Sequence, residues 1–290
     1  MERIGIIGLG LIGGSMGLAL KRARGDSLEI VGYSRSPRTM ATAYQRGAVD
    51  RAAHDLASAV HGCQIVILAT PVMTMKQVLE ELAAILPSGS VVTDTASTKG
   101  QVMAWAECLP PGVSFIGGHP MAGKETSGIG AADPDLFQGC TYCLTPASGV
   151  TAEATGLVLK LVEAIGAKPL FIDAARHDEL VAGVSHLPLL LSYALVSATT
   201  QSPAWREMAA LAATGYRDLS RLASGHPDMA RDICLTNRDN ILRWLDRYVE
   251  ELIRYRGLVA AGHANLEVAF RKARQAREQW LKMKQAPQKT

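Results

Sequence analysis

Five cysteines, an odd number without regular spacing, exclude a disulfide framework. Cys140 and Cys143 form a CxxC, but GCTYCLTP reads as a strand, and residues three apart on a strand point to opposite faces, so a metal clip or redox pair is not expected there. The seven histidines are scattered, with neither an HExxH pair nor a Cys/His cluster, and no metal is expected. A net charge of only +3 makes no case for nucleic acid as a partner. The locally basic stretch of Arg271, Lys272, Arg274, Arg277, Lys282 and Lys284 reads as a solvated helix face. No uninterrupted apolar run has the length to cross a bilayer, and a strand signal begins almost at the N-terminus, leaving no room for a signal peptide. These absences predict a cytoplasmic protein with no membrane partner.

What the sequence has is a glycine-rich turn in a telling place. GLGLIGGS, Gly8 to Ser15, follows the apolar residues Ile4, Ile6 and Ile7 and precedes the helix-compatible run Met16 to Arg24. That strand, turn and helix order is the context a dinucleotide-binding GxGxxG requires. Gly8 allows the tight turn, Gly10 lets the backbone approach a pyrophosphate, and Gly13 lets helix and strand pack closely. Leu11 and Ile12 complete the loop, and the phosphate charge is expected at the helix N-terminus.

At 290 residues, with 48% hydrophobic and 20% charged residues, the chain can bury a substantial core and form two domains. Strand signals fall at Arg3 to Ile7, Glu29 to Tyr33, Gln64 to Ala69, Ser90 to Thr93, Val113 to Ile116, Thr141 to Leu144 and Pro169 to Ile172. Helical periods lie between them at Ser36 to Arg46, Met73 to Leu86, Lys99 to Cys108 and Ala152 to Ile165, the last after Thr151 as N-cap. The alternation predicts an α/β domain of Rossmann type with a parallel sheet over residues 1–172. From Asp173 strand signals stop, and His177 to Thr200, Ser202 to Thr214, Pro227 to Ala261 with breaks, and Leu266 to Lys284 read as helices. Ile241, Leu245, Tyr248, Val249, Leu252 and Ile253 recur at helical spacing, as core or a dimer seam. An all-α domain that also pairs two subunits as a homodimer is therefore expected over 173–286, with a frayed tail at 287–290.

Rossmann domains that bind NAD usually end their second strand in an acidic residue that reads the ribose 2′-hydroxyl. Here the strand is followed by Ser34, Arg35, Ser36, Arg38 and Thr39. A guanidinium and hydroxyls suit a 2′-phosphate, so NADP is favoured, with NAD as the alternative.

Two further segments end at strand C-termini, the edge of an open parallel sheet where ligands bind: TDTASTK, Thr93 to Lys99, and GGHPMAG, Gly117 to Gly123. A histidine at such an edge is placed to accept a proton from a substrate hydroxyl as hydride leaves, which makes His119 the candidate base. With LFQG at Leu136, SHLP at Ser185 and GYRDLSRLASGHPDMARDICLTNRD from Gly215 to Asp239, the sequence resembles the prephenate/arogenate dehydrogenases of tyrosine biosynthesis, the TyrA type. The matching pieces span residues 4 to about 240 in the family's order.

The resemblance implies a Rossmann domain, a helical dimerisation domain, and oxidative decarboxylation of a small cyclohexadienol by a nicotinamide cofactor. It implies that His119 accepts a hydrogen bond from the ring hydroxyl, with Ser97 beside it, and that Arg221 holds a substrate carboxylate. It further implies that His186 lines the substrate pocket, that Lys124 and Glu125 border its mouth, that Asp218 supports nearby groups, and that Thr70 and Pro71 touch the nicotinamide side of the cofactor. Ala230 departs from the pattern, because many relatives carry Trp there. Aromatisation supplies most of the driving force, leaving the protein mainly to orient the reactants and stabilise charge. No metal or covalent nucleophile is called for, and Ser185 beside His186 is not a hydrolase pair because no GxSxG elbow exists.

Two rival readings differ in kind. One is another two-domain Rossmann reductase of β-hydroxyacid dehydrogenase or imine reductase type, which would rely on a lysine in the helical domain that has no counterpart here. The other is a cofactor-sensing protein without catalysis, which would not need His119, Ser97 and Arg221. An ACT regulatory domain beyond residue 286 and a chorismate mutase fused before Met1 are not expected. Feedback by tyrosine is therefore expected at the active site. Prephenate and arogenate differ only in the side chain, and a residue near Glu125 or Ala230 is expected to decide between them.

Overall fold

The computed structural model describes residues 2–262 and 265–285, so the tail expected at 287–290 lies outside the described residues. One eight-stranded sheet organises the first part of the chain, in the order β3-β2-β1-β4-β5-β6-β7-β8. Its strands are β1 (Glu2–Ile7), β2 (Leu28–Tyr33), β3 (Arg51–Ala52), β4 (Ile65–Leu68), β5 (Val91–Asp94), β6 (Ser114–Pro120), β7 (Thr141–Pro146) and β8 (Lys168–Phe171). The first six run parallel, with Ile4 in register with both Ile30 and Ile65. β7 then runs antiparallel to β6, with His119 opposite Cys143, and β8 runs parallel to β7. The expected parallel sheet is thus found in the first six strands, and the last two depart from it. The connection from β6 to β7 holds only a 3-10 turn, Ile129–Ala131, and a parallel return needs a longer crossover, usually a helix.

Side chains alternate across the sheet, so Ile4 and Ile6 of β1 enter one core while Ile7 enters the other. The first core packs against α1 (Leu11–Arg24) and α6 (Ala152–Ala164) through Met16, Leu20, Val158 and Leu161. The second packs against α3 (Leu56–Val60), α4 (Val72–Ala83) and α5 (Gly100–Ala106) through Val60, Leu79 and Val102. The sheet is thus covered on both faces, as near-continuous apolar strands such as Ile65 to Leu68 require. Starts are set locally: Ser36 Oγ accepts from the Thr39 N–H at the head of α2 (Pro37–Gln45), and Thr151 Oγ1 from the Ala154 N–H at the head of α6.

From Asp173, which caps α7 (Ala174–Val181) through the Ala175 and Arg176 N–H groups, the described residues are helical or turn. A π-turn, Ala182–His186, joins α7 to α8 (Leu187–Thr200). Pro188 near the start of α8 has no N–H to give the preceding turn, which favours such a local change of ladder. The run Ala174–Thr200 is long and apolar enough to cross a membrane by length and composition, although it carries buried His177, Asp178 and His186. The helix expected over Ser202 to Thr214 is shorter, α9 (Trp205–Leu211), and is followed by α10 (Thr214–Ser220) and a 3-10 turn, Arg221–Ser224. Asn237, with φ −129° and ψ 35°, separates α11 (Pro227–Thr236) from α12 (Arg238–Ala260), and α13 (Asn265–Gln285) completes the described chain.

The chain forms two compact units, the first ending at Ile241 and the second beginning at Leu242. In the second, Tyr255 stacks on Phe270 with ring centroids 5.7 Å apart, while Val249, Leu252 and Ile253 remain exposed.

Candidate active site

The C-terminal ends of β1, β2, β4, β5 and β6 carry most of the candidate residues. After β1, Gly8 has φ +100°, and a Cβ there would meet the Ala69 carbonyl carbon at 2.6 Å; at Gly13 a Cβ would meet the Gly8 oxygen at 2.0 Å. Both positions need glycine for steric reasons. Gly10 is different, because a Cβ there would meet nothing within 4 Å. It is the N-cap of α1, which has neither a side-chain cap nor an acidic residue in its first turn, and Leu11 and Ile12 open that turn. Free N–H groups beside open space suit an anionic group, so these residues fit a dinucleotide's pyrophosphate. After β2, Ser34 Oγ accepts from the Ser36 N–H at 3.4 Å and Thr39 lies in the first turn of α2. Arg35 and Arg38 are exposed and pair with no carboxylate among the described residues. After β4, Pro71 caps α4, and the buried Thr70 Oγ1 has no hydrogen-bond partner among the described residues.

His119, on β6, is only 6% exposed. Its Nδ1 lies 2.8 Å from His177 Nε2, and His177 Nδ1 lies 2.8 Å from Asp178 Oδ1. The Asp178 carboxylate also accepts the main-chain N–H groups of Lys99 at 2.7 Å and Gly100 at 2.8 Å. An ionised carboxylate only accepts, so His177 donates from Nδ1; with a single proton on that ring its Nε2 accepts, which leaves His119 donating from Nδ1. The His119 Nε2 lone pair is thereby left as an acceptor. Burial, then His177, Lys99 and His186, push the His119 pKa well below its ordinary value, so the ring is held neutral. Beneath it Lys99 Nζ is fully buried, pairs with the Asp94 carboxylate and donates to the Gly118 carbonyl at 2.6 Å.

The π-turn delivers His186, 1% exposed, to the same cluster. Its Nδ1 lies 3.1 Å from Asn237 Nδ2, its Nε2 is buried without a partner of full hydrogen-bond geometry among the described residues, and burial lowers its pKa to about 4 against the opposing pull of Asp178. Ser97 is half-buried on the loop from β5 to α5, and its main chain lies beside His186. Thr98 Oγ1 ties that loop to Thr236 Oγ1 at 2.9 Å.

Arg221 sits in the 3-10 turn after α10 and forms an ion pair with Glu125. Lys124 is turned to Asp133 at 2.6 Å, and exposed Asp218 pairs with its neighbour Arg217 at 3.4 Å. The fold therefore groups His119, Ser97 and His186, and joins Glu125 to Arg221, while Lys124 and Asp218 have partners of their own. Ala230 is buried in α11. Sequence reasoning missed His177, Asp178, Lys99 and Asn237. Of these, Lys99 stood inside the TDTASTK segment and Asn237 inside the long C-terminal match.

Comparison with known proteins agrees with this layout. Residues 16–170 match the family model described as prephenate dehydrogenase, nucleotide-binding domain, and residues 173–272 match prephenate dehydrogenase, dimerization domain. The chain is 35% identical over 281 residues to prephenate dehydrogenase of Bacillus subtilis, covering 96% of this chain and 76% of that one. Among solved structures it is similar to Synechocystis arogenate dehydrogenase, with TM-score 0.80 and 33% identity over 96% of this chain and 99% of that one. It is similar also to the Aquifex aeolicus prephenate dehydrogenase in complex with hydroxyphenyl propionate and NAD+, with TM-score 0.88 and 28% identity over 96% and 98% of the two chains.

Proposed function

Because the chain belongs to the prephenate dehydrogenase family, a nicotinamide-dependent group of tyrosine biosynthesis, we propose that it oxidatively decarboxylates prephenate, arogenate or both, with NADP favoured over NAD. The observation that carries the reading is the Asp178–His177–His119 hydrogen-bonded chain, which engages His119 through Nδ1 and so reserves Nε2 for a substrate, at the strand edge that also bears the glycine turn.

The cofactor's phosphates would be held by the main chain of Gly8, Gly10, Leu11, Ile12 and Gly13, its adenine end by Ser34, Arg35, Arg38 and Thr39, and its nicotinamide end beside Thr70 and Pro71. A nicotinamide bound there would supply the hydride acceptor for the hydroxyl-bearing ring carbon, and loss of carbon dioxide would leave an aromatic ring. Neutral His119 accepts the hydroxyl's hydrogen bond at Nε2 and stabilises positive charge as it develops there. The carboxylate of Asp178 steadies that charge through His177. Ser97 orients the same hydroxyl, and His186 lines the pocket. The Arg221 guanidinium takes a substrate carboxylate in bidentate fashion, exchanging Glu125 for it, while Lys124 and Asp218 border the mouth.

The absence of an acidic residue after β2 and the unpaired arginines there support NADP. Exposed Val249, Leu252 and Ile253 on α12, within the span matching the dimerization model, support a homodimer. The test is reduction of each of NADP and NAD with prephenate and with arogenate, followed by absorbance. Turnover with NADP and at least one substrate is expected; no turnover in any of the four combinations refutes the reading, and preference for NAD refutes the cofactor assignment.

A further inference from the structure

We infer that Asn237 is a positioning residue that fixes His186 as a neutral imidazole offering its Nε2–H to an oxygen acceptor of the substrate. The inference deepens the function proposed above and rests on it. Asn237 stands at the break between α11 and α12, where its non-helical backbone turns the side chain into the cluster, 4% exposed. Its amide nitrogen lies 2.7 Å from the Asp178 main-chain oxygen. A carbonyl oxygen cannot donate, so the atom facing it must be Nδ2, and the amide has one orientation. Asn240 Nδ2 donates to Asn237 Oδ1 at 2.7 Å, in keeping with that orientation. The same Nδ2 faces His186 Nδ1 at 3.1 Å, which must then accept.

The tautomer of His186 follows: the proton sits on Nε2. A second proton on Nδ1 would face an amide donor, so this contact opposes the imidazolium. Nε2 is buried without a partner of full hydrogen-bond geometry among the described residues; the Ser97 main chain is near enough to favour a proton on the ring but does not complete that bond. Leaving a buried N–H unpaired is costly, which points to a group that arrives from outside. That group must be an acceptor, a carboxylate or carbonyl oxygen, because an ammonium has no lone pair to offer. The charged and titratable groups around His186 are Asp178 and His177 of α7 and His119 of β6, and burial outweighs the Asp178 carboxylate, keeping the ring neutral.

Asn237→Asp is nearly isosteric but replaces the donor with an acceptor, which draws a proton to His186 Nδ1; Asn237→Ala removes the contact. Both are compared with the wild-type full chain by steady-state kinetics and by histidine-selective nitrogen NMR, with His186→Gln identifying the His186 signals among the seven histidines. In the wild type, His186 is expected as the neutral Nε2–H tautomer near neutral pH. In Asn237→Asp the Nδ1 signal is expected to become protonated, with KM raised roughly tenfold and kcat changed far less. An unchanged His186 signal in Asn237→Asp, or an Nδ1–H tautomer in the wild type, overturns the inference, as does a KM within twofold of wild type in both variants. If the wild type turns over neither substrate, the functional reading fails and the NMR arm alone decides the role of Asn237.

Discussion

Acidification should destabilise this protein through His186, and the size of the effect can be worked out. Burial holds the folded pKa at about 4, against an ordinary value of 6.5. A histidine whose folded pKa is depressed binds its proton more readily in the unfolded chain, so its contribution is present at neutral pH and is lost as pH falls between those two values. The whole interval corresponds to about 3 kcal/mol, of which about 2 kcal/mol is lost between about pH 7 and about pH 5. His186→Gln removes the titration while keeping an acceptor for Asn237 and an N–H in place of Nε2–H. Urea unfolding of both proteins, followed by far-ultraviolet circular dichroism at the two pH values, isolates His186 from His119 and the carboxylates, which both proteins share. The wild type should lose about 2 kcal/mol more than the variant on acidification. Equal losses would refute the argument that burial keeps this ring neutral.

Three further outcomes follow from the site. His119→Asn should lower kcat by roughly 100- to 10,000-fold with little change in dinucleotide affinity, and the wild-type acid limb of kcat/KM should lie well below the ordinary histidine value of 6.5; normal turnover by the variant, or a limb at 6.5 or above, contradicts the assignment. Glu125→Gln should free the half-exposed Arg221 and lower KM by roughly two- to fivefold, whereas Arg221→Gln should raise it by at least tenfold; opposite signs in steady-state kinetics would show that the pair does not compete with substrate. Arg35→Ala should raise the KM for NADP by roughly tenfold and leave that for NAD unchanged, and equal effects on both would remove the 2′-phosphate contact.

Local patterns made most of the sheet legible. Seven of the eight strands carry short apolar runs, most of them near Gly, Pro or Asp, whereas β3 is two exposed residues, Arg51 and Ala52, with no apolar signature. Periodicity does not encode strand direction, so the antiparallel turn of β7 was hidden in the strand pattern itself. Its trace lay in what the connection lacks: no helical period separates Val113 to Ile116 from Thr141 to Leu144, and a parallel crossover usually has one. The glycine turn was readable because each of its demands is local, as the steric tests at Gly8 and Gly13 make plain. His119 stands out for the same local reason, as a histidine between glycines and proline, and the structure buries it near the end of β6.

The groups that govern His119 lie far away in sequence, and no spacing rule could find them. Asp178 and His177 follow it by almost sixty residues, and Asn237 follows Asp178 by as many again. Lys99 is nearer but reads as an ordinary surface lysine until the fold buries it against Asp94. Isolated burial of such a pair is weak support for stability, since desolvation offsets the attraction and well-packed apolar residues often do as well. Position explains this pair better. Asp94 accepts the N–H groups of Ala96 at 2.8 Å and Gly118 at 2.9 Å, while Lys99 Nζ donates to the Gly118 carbonyl, so two charges hold the Ser97 loop against the strand residue preceding His119. An apolar pair of equal volume could fill the space, but it could not bond to both segments. The buried charge is therefore tied to the register between Ser97 and His119, which the proposed chemistry requires and the core does not.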